Sequence, residues 1–241
     1  MKVALELQPC CGKRSGIGTY TYEIAKRLKD REGLEFCGNL FNFLGRNDNT
    51  TALSGISMPL RESRGLPYGI YRRLWNVIPI PYQALFSGTA DLHIFFNYIV
   101  PPHISGKVLT TVHDLTYLRY PETMDARNLR RISRGIQHSL ERSDRILTIS
   151  EFSKREIVDL LHVPPEQVTV IYAAPSQSAK PIKFENIVEK YGIHRPYLLY
   201  IGTIEPRKNL VRLIEAFDHL KKSERLPHQL VLAGGPGWNN E

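Results

Sequence analysis

Short apolar segments alternate with amphipathic helical patterns along most of this 241-residue chain, and that alternation leaves few folds open. Strands buried on both faces read as continuous apolar runs, and the helices between them cover the two sides of a parallel sheet. Strands are predicted at residues 3–7, 34–41, 92–96, 107–112, 145–149, 168–172, 197–201 and 228–233. Helices are predicted at 17–28, 66–75, about 127–142, and from Ser150 onward, where Ser150 or the Ser153 and Glu156 capping-box pair can cap. Residues 44–67 read as loop, rich in Gly, Asn and Ser, and are the place for substrate-specific loops. The expected class is α/β.

Residues 173–181 have linker composition, so the sequence divides into domains 1–175 and 176–241. The second contains only strand, helix and strand, which bury too little apolar surface to stand alone; the sequence therefore reads as ending inside a domain. The N-terminus meets charge within six residues, so no secretory segment is expected, and no apolar run approaches bilayer length. The three cysteines, Cys10, Cys11 and Cys37, lack framework or zinc spacing and are expected as free thiols in a reducing cytosol. A formal net charge of +8 favours anionic partners: phosphorylated ligands, acidic lipid or nucleic acid. On the helix near 127–142, Leu129, Ile132, Ile136 and Leu140 share one face. Arg127, Arg130, Arg131 and Arg134 are expected on the opposite, solvated face.

Three constellations carry chemistry. The first is the run from Tyr197 through Gly202 to Arg207, Lys208, Asn209 and Leu210. Gly202 is expected to turn the chain, a helix opening near Lys208 presents unpaired N–H groups, and Arg207 and Lys208 add two charges, together a seat for a diphosphate. Leu210, Leu213, Ile214, Phe217 and Leu220 are expected to pack this helix on a sheet. A basic helix start facing solvent is the alternative.

The second is the turn Ser15-Gly16-Ile17-Gly18-Thr19-Tyr20. Thr21 stands where a dinucleotide fingerprint has its third glycine, and no ribose-holding acid follows at the expected distance, which argues against a nicotinamide enzyme. Gly16 and Gly18 allow close ligand approach or simply a tight turn. The third is His113-Asp114 at a strand end, where ligands bind in open parallel sheets. There His113 suits a sugar hydroxyl and Asp114 suits loop orientation.

These motifs, with Thr111-Val112-His113-Asp114-Leu115, Leu147-Thr148-Ile149-Ser150-Glu151-Phe152-Ser153 and Leu230-Val231-Leu232-Ala233-Gly234, resemble the retaining glycosyltransferases of family 4. The resemblance covers nearly the whole chain and implies the B-type fold: a Rossmann-like acceptor-side domain plus the first β-α-β part of a second, nucleotide-sugar-binding one. It implies hexose transfer with retention from a nucleotide sugar to a glycan or lipid-linked acceptor. GDP-mannose is favoured as donor, and no cofactor or metal is expected. In that pattern Arg207 and Lys208 hold the donor diphosphate and His113 contacts the transferred sugar. Gly16 and Gly18 border the donor phosphate and acceptor, and Ser150, at a matching strand end, and Gly202 are the other positions expected to bind donor or acceptor.

The family's paired glutamates fall beyond Glu241, so the chain alone is expected to be inactive or nearly so. The implied setting is cytoplasmic, with peripheral contact at the inner membrane face allowed. Two other classes stand beside this one. A non-catalytic phosphate or anionic-surface binder fits the charge, and a nucleic-acid binder is disfavoured because aromatic residues do not interleave the arginines of 127–145.

Overall fold

The computed structural model describes every residue except 13, 29, 30, 48, 50, 76, 176–184, 194, 195 and 239–241, and only the backbone of 185 and 186. Lys13 and most of the expected linker therefore lie outside the described residues. The chain divides into two compact units, Met1–Leu115 with Arg131–Pro175, and Thr116–Arg130 with Ser176–Glu241.

The first unit is built on β1 (Lys2–Glu6), α1 (Gly16–Arg27), β2 (Glu35–Phe41), β3 (Leu60–Ser63), α2 (Tyr68–Leu74), β4 (Leu92–Phe95) and β5 (Lys107–Thr111). The short helix α3 (Thr116–Arg119) and the residues of α4 (Ala126–Glu141) before Arg131 belong to the second unit, while the rest of α4, β6 (Arg145–Thr148), α5 (Glu151–Leu161) and β7 (Val168–Val170) complete the first. Its seven strands run β3-β2-β1-β4-β5-β6-β7, all pairings parallel. The second unit adds α6 (Glu185–Lys190), β8 (Tyr197–Ile201), α7 (Leu210–Ser223) and β9 (Gln229–Ala233), with β8 and β9 parallel. Within it, Trp238 Nε1 donates to the Thr123 carbonyl at 2.9 Å.

The strand order explains why the middle of β1 is buried. The chain winds outward from β1 to β3, then crosses back to lay β4 on the other side of β1, so Val3, Leu5 and Leu7 are at most 1% exposed. Parallel sheets bind ligands beyond the carboxyl ends of their strands, at the point where the winding reverses. Here that point lies between β1 and β4.

The structure corrects the expected loop over 44–67. Leu60–Ser63 is an edge strand paired with β2, too short and polar to register as an apolar run. α4 departs from a simple apolar face. Ile132, Ile136 and Leu140 are buried as expected, but Arg131 is half-buried instead of lying on the outer face. Arg131, Gly135, Ser139 and Arg142 form a second stripe that grips the loop after β4. Arg131 Nη2 donates to Asn97 Oδ1 at 3.4 Å, Val100 N donates to Ser139 Oγ at 2.9 Å, and Arg142 Nη1 donates to the Val100 carbonyl at 3.1 Å. A Cβ at Gly135 would lie 2.8 Å from Ile99 Cδ1.

The two glycines that open α1 have different physical reasons. Ser15 caps the helix, its Oγ accepting from Gly18 N at 3.3 Å. A Cβ at Gly16 would meet nothing within 4 Å, whereas one at Gly18 would sit 2.4 Å from the Pro9 carbonyl oxygen. Backbone cannot move aside as a side-chain tip can. Gly16→Ala should therefore leave stability unchanged or raise it by up to about 1 kcal/mol, while Gly18→Ala should cost about 1–3 kcal/mol. Urea denaturation of the two variants checks the contrast.

Candidate functional site

In the first unit the carboxyl ends of β5 and β6 and the start of α1 converge on His113. Its ring is buried, 8% exposed, and Nε2 lies 2.8 Å from the Phe96 carbonyl oxygen. A carbonyl only accepts, so Nε2 carries the hydrogen and Nδ1 is the acceptor of the neutral ring. Burial pushes the imidazole below its ordinary value, more strongly than the Phe96 carbonyl and Asp114 pull it up. Tyr20 from α1 meets the ring edge-on at 5.1 Å and Tyr98 at 5.9 Å.

Tyr98 is itself constrained. Its φ is 57°, a left-handed conformation that costs a non-glycine residue about 1–2 kcal/mol. Asp114 holds it there: Tyr98 Oη donates to Asp114 Oδ1 at 3.1 Å and accepts from Asp114 N at 3.2 Å. Asp114 thus ties the loop in place, as its position suggested.

Ser150, not Ser153, caps α5. Its Oγ accepts from Ser153 N at 3.1 Å, and Ser153 and Glu156 are buried inside the helix instead of forming a capping box. A hydroxyl relay then joins the cap to the histidine backbone: Ser150 Oγ donates to Ser153 Oγ, and Ser153 Oγ donates to the His113 carbonyl, both at 3.1 Å. Ser150 therefore positions the His113 turn from beneath. Gly16 is exposed at the α1 start, with Gly18 packed under it and Tyr20 reaching the histidine.

In the second unit Gly202 does not supply a positive φ. The requirement for small residues comes from close approach: a Cβ at Gly234 would lie 1.7 Å from the Gly202 carbonyl oxygen. The loops after β8 and β9 are knitted together, Ile204 N donating to the Gly235 carbonyl at 3.0 Å and Gly237 N to the Ile204 carbonyl at 2.9 Å.

Both cations also sit elsewhere than expected. Pro206–Lys208 is a single 3₁₀ turn, Asn209 follows at φ 52°, and α7 begins only at Leu210. Arg207 and Lys208 therefore precede the helix instead of opening it. Asn209 makes no side-chain capping bond, so the first N–H groups of α7 keep their anion-binding capacity. Buried Glu205 orients Arg207, with Nη2 at 2.7 Å from Oε1 and the acid's side chain only 4% exposed. Lys208 forms no ion pair among the described residues. The expected packed face of α7 is corrected: Leu210 is buried, but Leu213, Ile214 and Leu220 are 37%, 47% and 45% exposed.

Sequence reasoning missed Glu205, although an acid two residues before an arginine lay inside the motif. Tyr20, Phe96 and Tyr98 around His113 were missed too, because their meeting depends on three separate strand and helix ends. The cysteines are free, Cys10 and Cys37 being buried. Among the described residues no cluster of three or more His, Cys, Asp or Glu stands where it could hold a metal ion, and no helix is long and apolar enough to cross a membrane.

A doubly wound parallel sheet with its polar groups at the carboxyl edge, followed by a strand-loop-helix carrying paired cations, is a Rossmann-like arrangement. The sequence matches Glycosyltransferase Family 4 over residues 14–174 and Glycosyl transferases group 1 over residues 183–241. The chain belongs to glycosyltransferase family 4. It is similar to O-antigen chain mannosyltransferase B of Escherichia coli, 27% identical over 260 residues that cover 100% of this chain and 66% of that protein. It is also similar to serotype-specific mannosyltransferase WbdA proteins of Escherichia coli, at 25% and 26% identity over 156 residues, 62% of this chain and 19% of those proteins. The chain thus spans about two thirds of the first relative's length and about a fifth of the others'.

The His113 geometry sets a titration. Its imidazole should hold Nε2–H and a bare Nδ1 at pH 7 and protonate with a midpoint below about 6.5. Nitrogen-15 NMR across pH 5–8 reads this directly; a midpoint above 6.5 would contradict the buried, neutral ring.

Proposed function

We propose that the protein transfers mannose, with retained anomeric configuration, from GDP-mannose to a glycan or lipid-linked acceptor. The observation that carries the reading is Arg207 clamped by buried Glu205, beside Lys208, immediately before the uncapped start of α7. A fixed guanidinium, an ammonium and free N–H groups form a site for the diphosphate of a nucleotide sugar, and preorganised charge is most effective where negative charge develops.

In the proposed step the bond between the sugar's anomeric carbon and the phosphate oxygen breaks, and its electron pair stays on that oxygen. Arg207 and Lys208 stabilise the departing diphosphate. The acceptor hydroxyl oxygen bonds the anomeric carbon from the same face, and its proton passes to the departing phosphate oxygen. No cofactor or metal enters this step. His113 Nδ1, an acceptor in the neutral ring, takes a hydrogen bond from a hydroxyl of the transferred sugar. Gly16 leaves open backbone beside it, and Gly202 lets the loops of the second unit close together. Domains of 1–175 and 176–241, acceptor side and donor side, fit these roles, in a cytoplasmic protein that meets its acceptor at the inner membrane face. The names of the relatives support mannose and polysaccharide synthesis.

The second unit leaves Leu198, Ile201, Val211 and Ile214 between 47% and 76% exposed, which supports a transferase whose donor half needs further packing. Purified full-length protein should transfer label from GDP-mannose, and alanine at both Arg207 and Lys208 should lower kcat/KM by about 10²-fold or more. The 241-residue chain alone should show little or no turnover. Unchanged turnover after both cations are removed, or transfer from UDP-sugars only, would contradict the respective parts.

A further inference from the structure

In the second unit, the loops that carry Arg207 and Lys208 are fastened at a point the transfer scheme does not use. The pairing of β8 with β9 continues past the strands: Ile204 and Pro236 form a parallel bridge, Ile204 N donates to the Gly235 carbonyl at 3.0 Å, and Gly237 N donates to the Ile204 carbonyl at 2.9 Å. A Cβ at Gly237 would lie 2.6 Å from the Ile204 oxygen and 3.0 Å from Glu205 Cβ, so residue 237 is pressed against the acid that orients Arg207. Lys208 N donates back to the Glu205 carbonyl at 3.0 Å, which closes the turn bearing both cations. Backbone bonds at the end of a two-stranded ladder open readily unless something else holds the loops.

Trp238 is the next residue, and its indole supplies that hold. Nε1 donates to the Thr123 carbonyl at 2.9 Å, a bond that spans 115 positions of sequence inside one unit. An indole has a single polar atom, a donor, and a half-buried ring needs one acceptor placed to meet it. The acceptor here is well fixed. Thr123 ends the 3₁₀ turn Pro121–Thr123, its N and Oγ1 both donating to the Tyr120 carbonyl, at 3.0 and 2.8 Å, and Tyr120 N donates to the Thr116 carbonyl at 2.8 Å. On the other side Asp125 Oδ1 accepts from Arg127 N and Asn128 N at 3.1 and 3.0 Å and so starts α4. Thr123 thus presents its carbonyl from a segment stiffened at both ends. That segment, Thr116–Arg130, comes from the first half of the sequence, yet it groups with the cation loops.

We propose that Trp238 is a positioning residue for the diphosphate seat: its indole N–H ties the loops after β8 and β9 to the Thr116–Arg130 segment and so keeps Arg207 and Lys208 arranged for binding before a ligand arrives. A seat that is formed only part of the time binds more weakly in proportion to that fraction, so loss of the tie shows as lost affinity. Trp238 acts through these loops and not on the substrate. The inference deepens the proposed donor site and rests on that reading for its role, while the tie itself is measurable without any ligand.

Hydrogen exchange by NMR and calorimetric titration with inorganic pyrophosphate, both on the full-length protein, test the two parts. Trp238→Phe, which keeps an aromatic ring and removes the donor, should speed exchange of the Ile204, Lys208 and Gly237 amides by about three- to tenfold and leave the amides inside the β8–β9 ladder unchanged. Pyrophosphate should bind this variant about threefold or more weakly than it binds the unmodified protein. Gly237→Ala, which crowds Ile204 from the other side of the tie, should weaken binding in the same way. In the unmodified protein, saturating pyrophosphate should slow exchange of the Trp238 indole hydrogen, a reciprocal effect that coupling requires and that structural support alone would not give; this measurement needs no variant. Unchanged loop exchange in Trp238→Phe, equal speeding throughout the ladder, equal pyrophosphate affinity, or indole exchange indifferent to pyrophosphate would each overturn the proposal. Failure of pyrophosphate to bind the unmodified protein would refute the donor site and with it the role of Trp238 in binding, while the exchange comparison still decides whether the tie exists.

Discussion

Everything at the functional edge depends on β1 being hydrogen-bonded in parallel on both sides, to β2 and to β4. A strand in that position must be apolar on both faces, and Val3, Ala4 and Leu5 meet the requirement. Once β1 is fixed, every strand of the sheet ends on the same edge, so residues far apart in sequence arrive together: Glu6, Asn97, His113 and Ser150. Polar chemistry is thereby confined to strand ends, while strand interiors supply packing.

Buried polar groups at that edge are held by backbone carbonyls and hydroxyls more than by opposite charges. His113 donates to a carbonyl and its own carbonyl receives Ser153, so the turn is fixed without ionisation. The second unit uses the opposite device, a buried carboxylate that fixes a guanidinium whose remaining donors stay available. The first arrangement suits a neutral hydroxyl and the second a phosphate. Neither feature would be stable as an isolated charge in a low-dielectric setting.

Much of the fold was legible because burial on both faces leaves unambiguous apolar runs: Lys2–Glu6, Lys107–Thr111 and Tyr197–Ile201 lie within a residue of their expected places. Leu60–Ser63 escaped because an edge strand needs only one covered face and carries Arg61 and Glu62. The helix expected to open near Lys208 begins two residues later, since a 3₁₀ turn and a left-handed Asn209 leave no periodicity to read. Arg131 was placed on a solvated face because helical spacing identifies apolar stripes, whereas its partner, Asn97, belongs to a loop whose position only the sheet determines. Motifs located His113 and the Arg207–Lys208 pair. Ser153 and Phe96, which hold the His113 turn, became visible only through tertiary geometry, whereas Glu205 lies inside the motif and only its burial beside Arg207 needed the structure.

The central claim is that ligands meet this sheet at its carboxyl edge. A groove also exists at the opposite edge, lined by Met1, Leu92, Lys107, Asp144, Arg145 and Gln167, which makes the claim open to direct comparison. Amide and methyl chemical-shift mapping of the full-length protein, titrated with GDP-mannose and then a mannose disaccharide, distinguishes the two. Shifts concentrated at the strand ends around Glu6, Asn97, His113 and Ser150 are expected; shifts confined to the Met1–Lys107–Gln167 groove would contradict it.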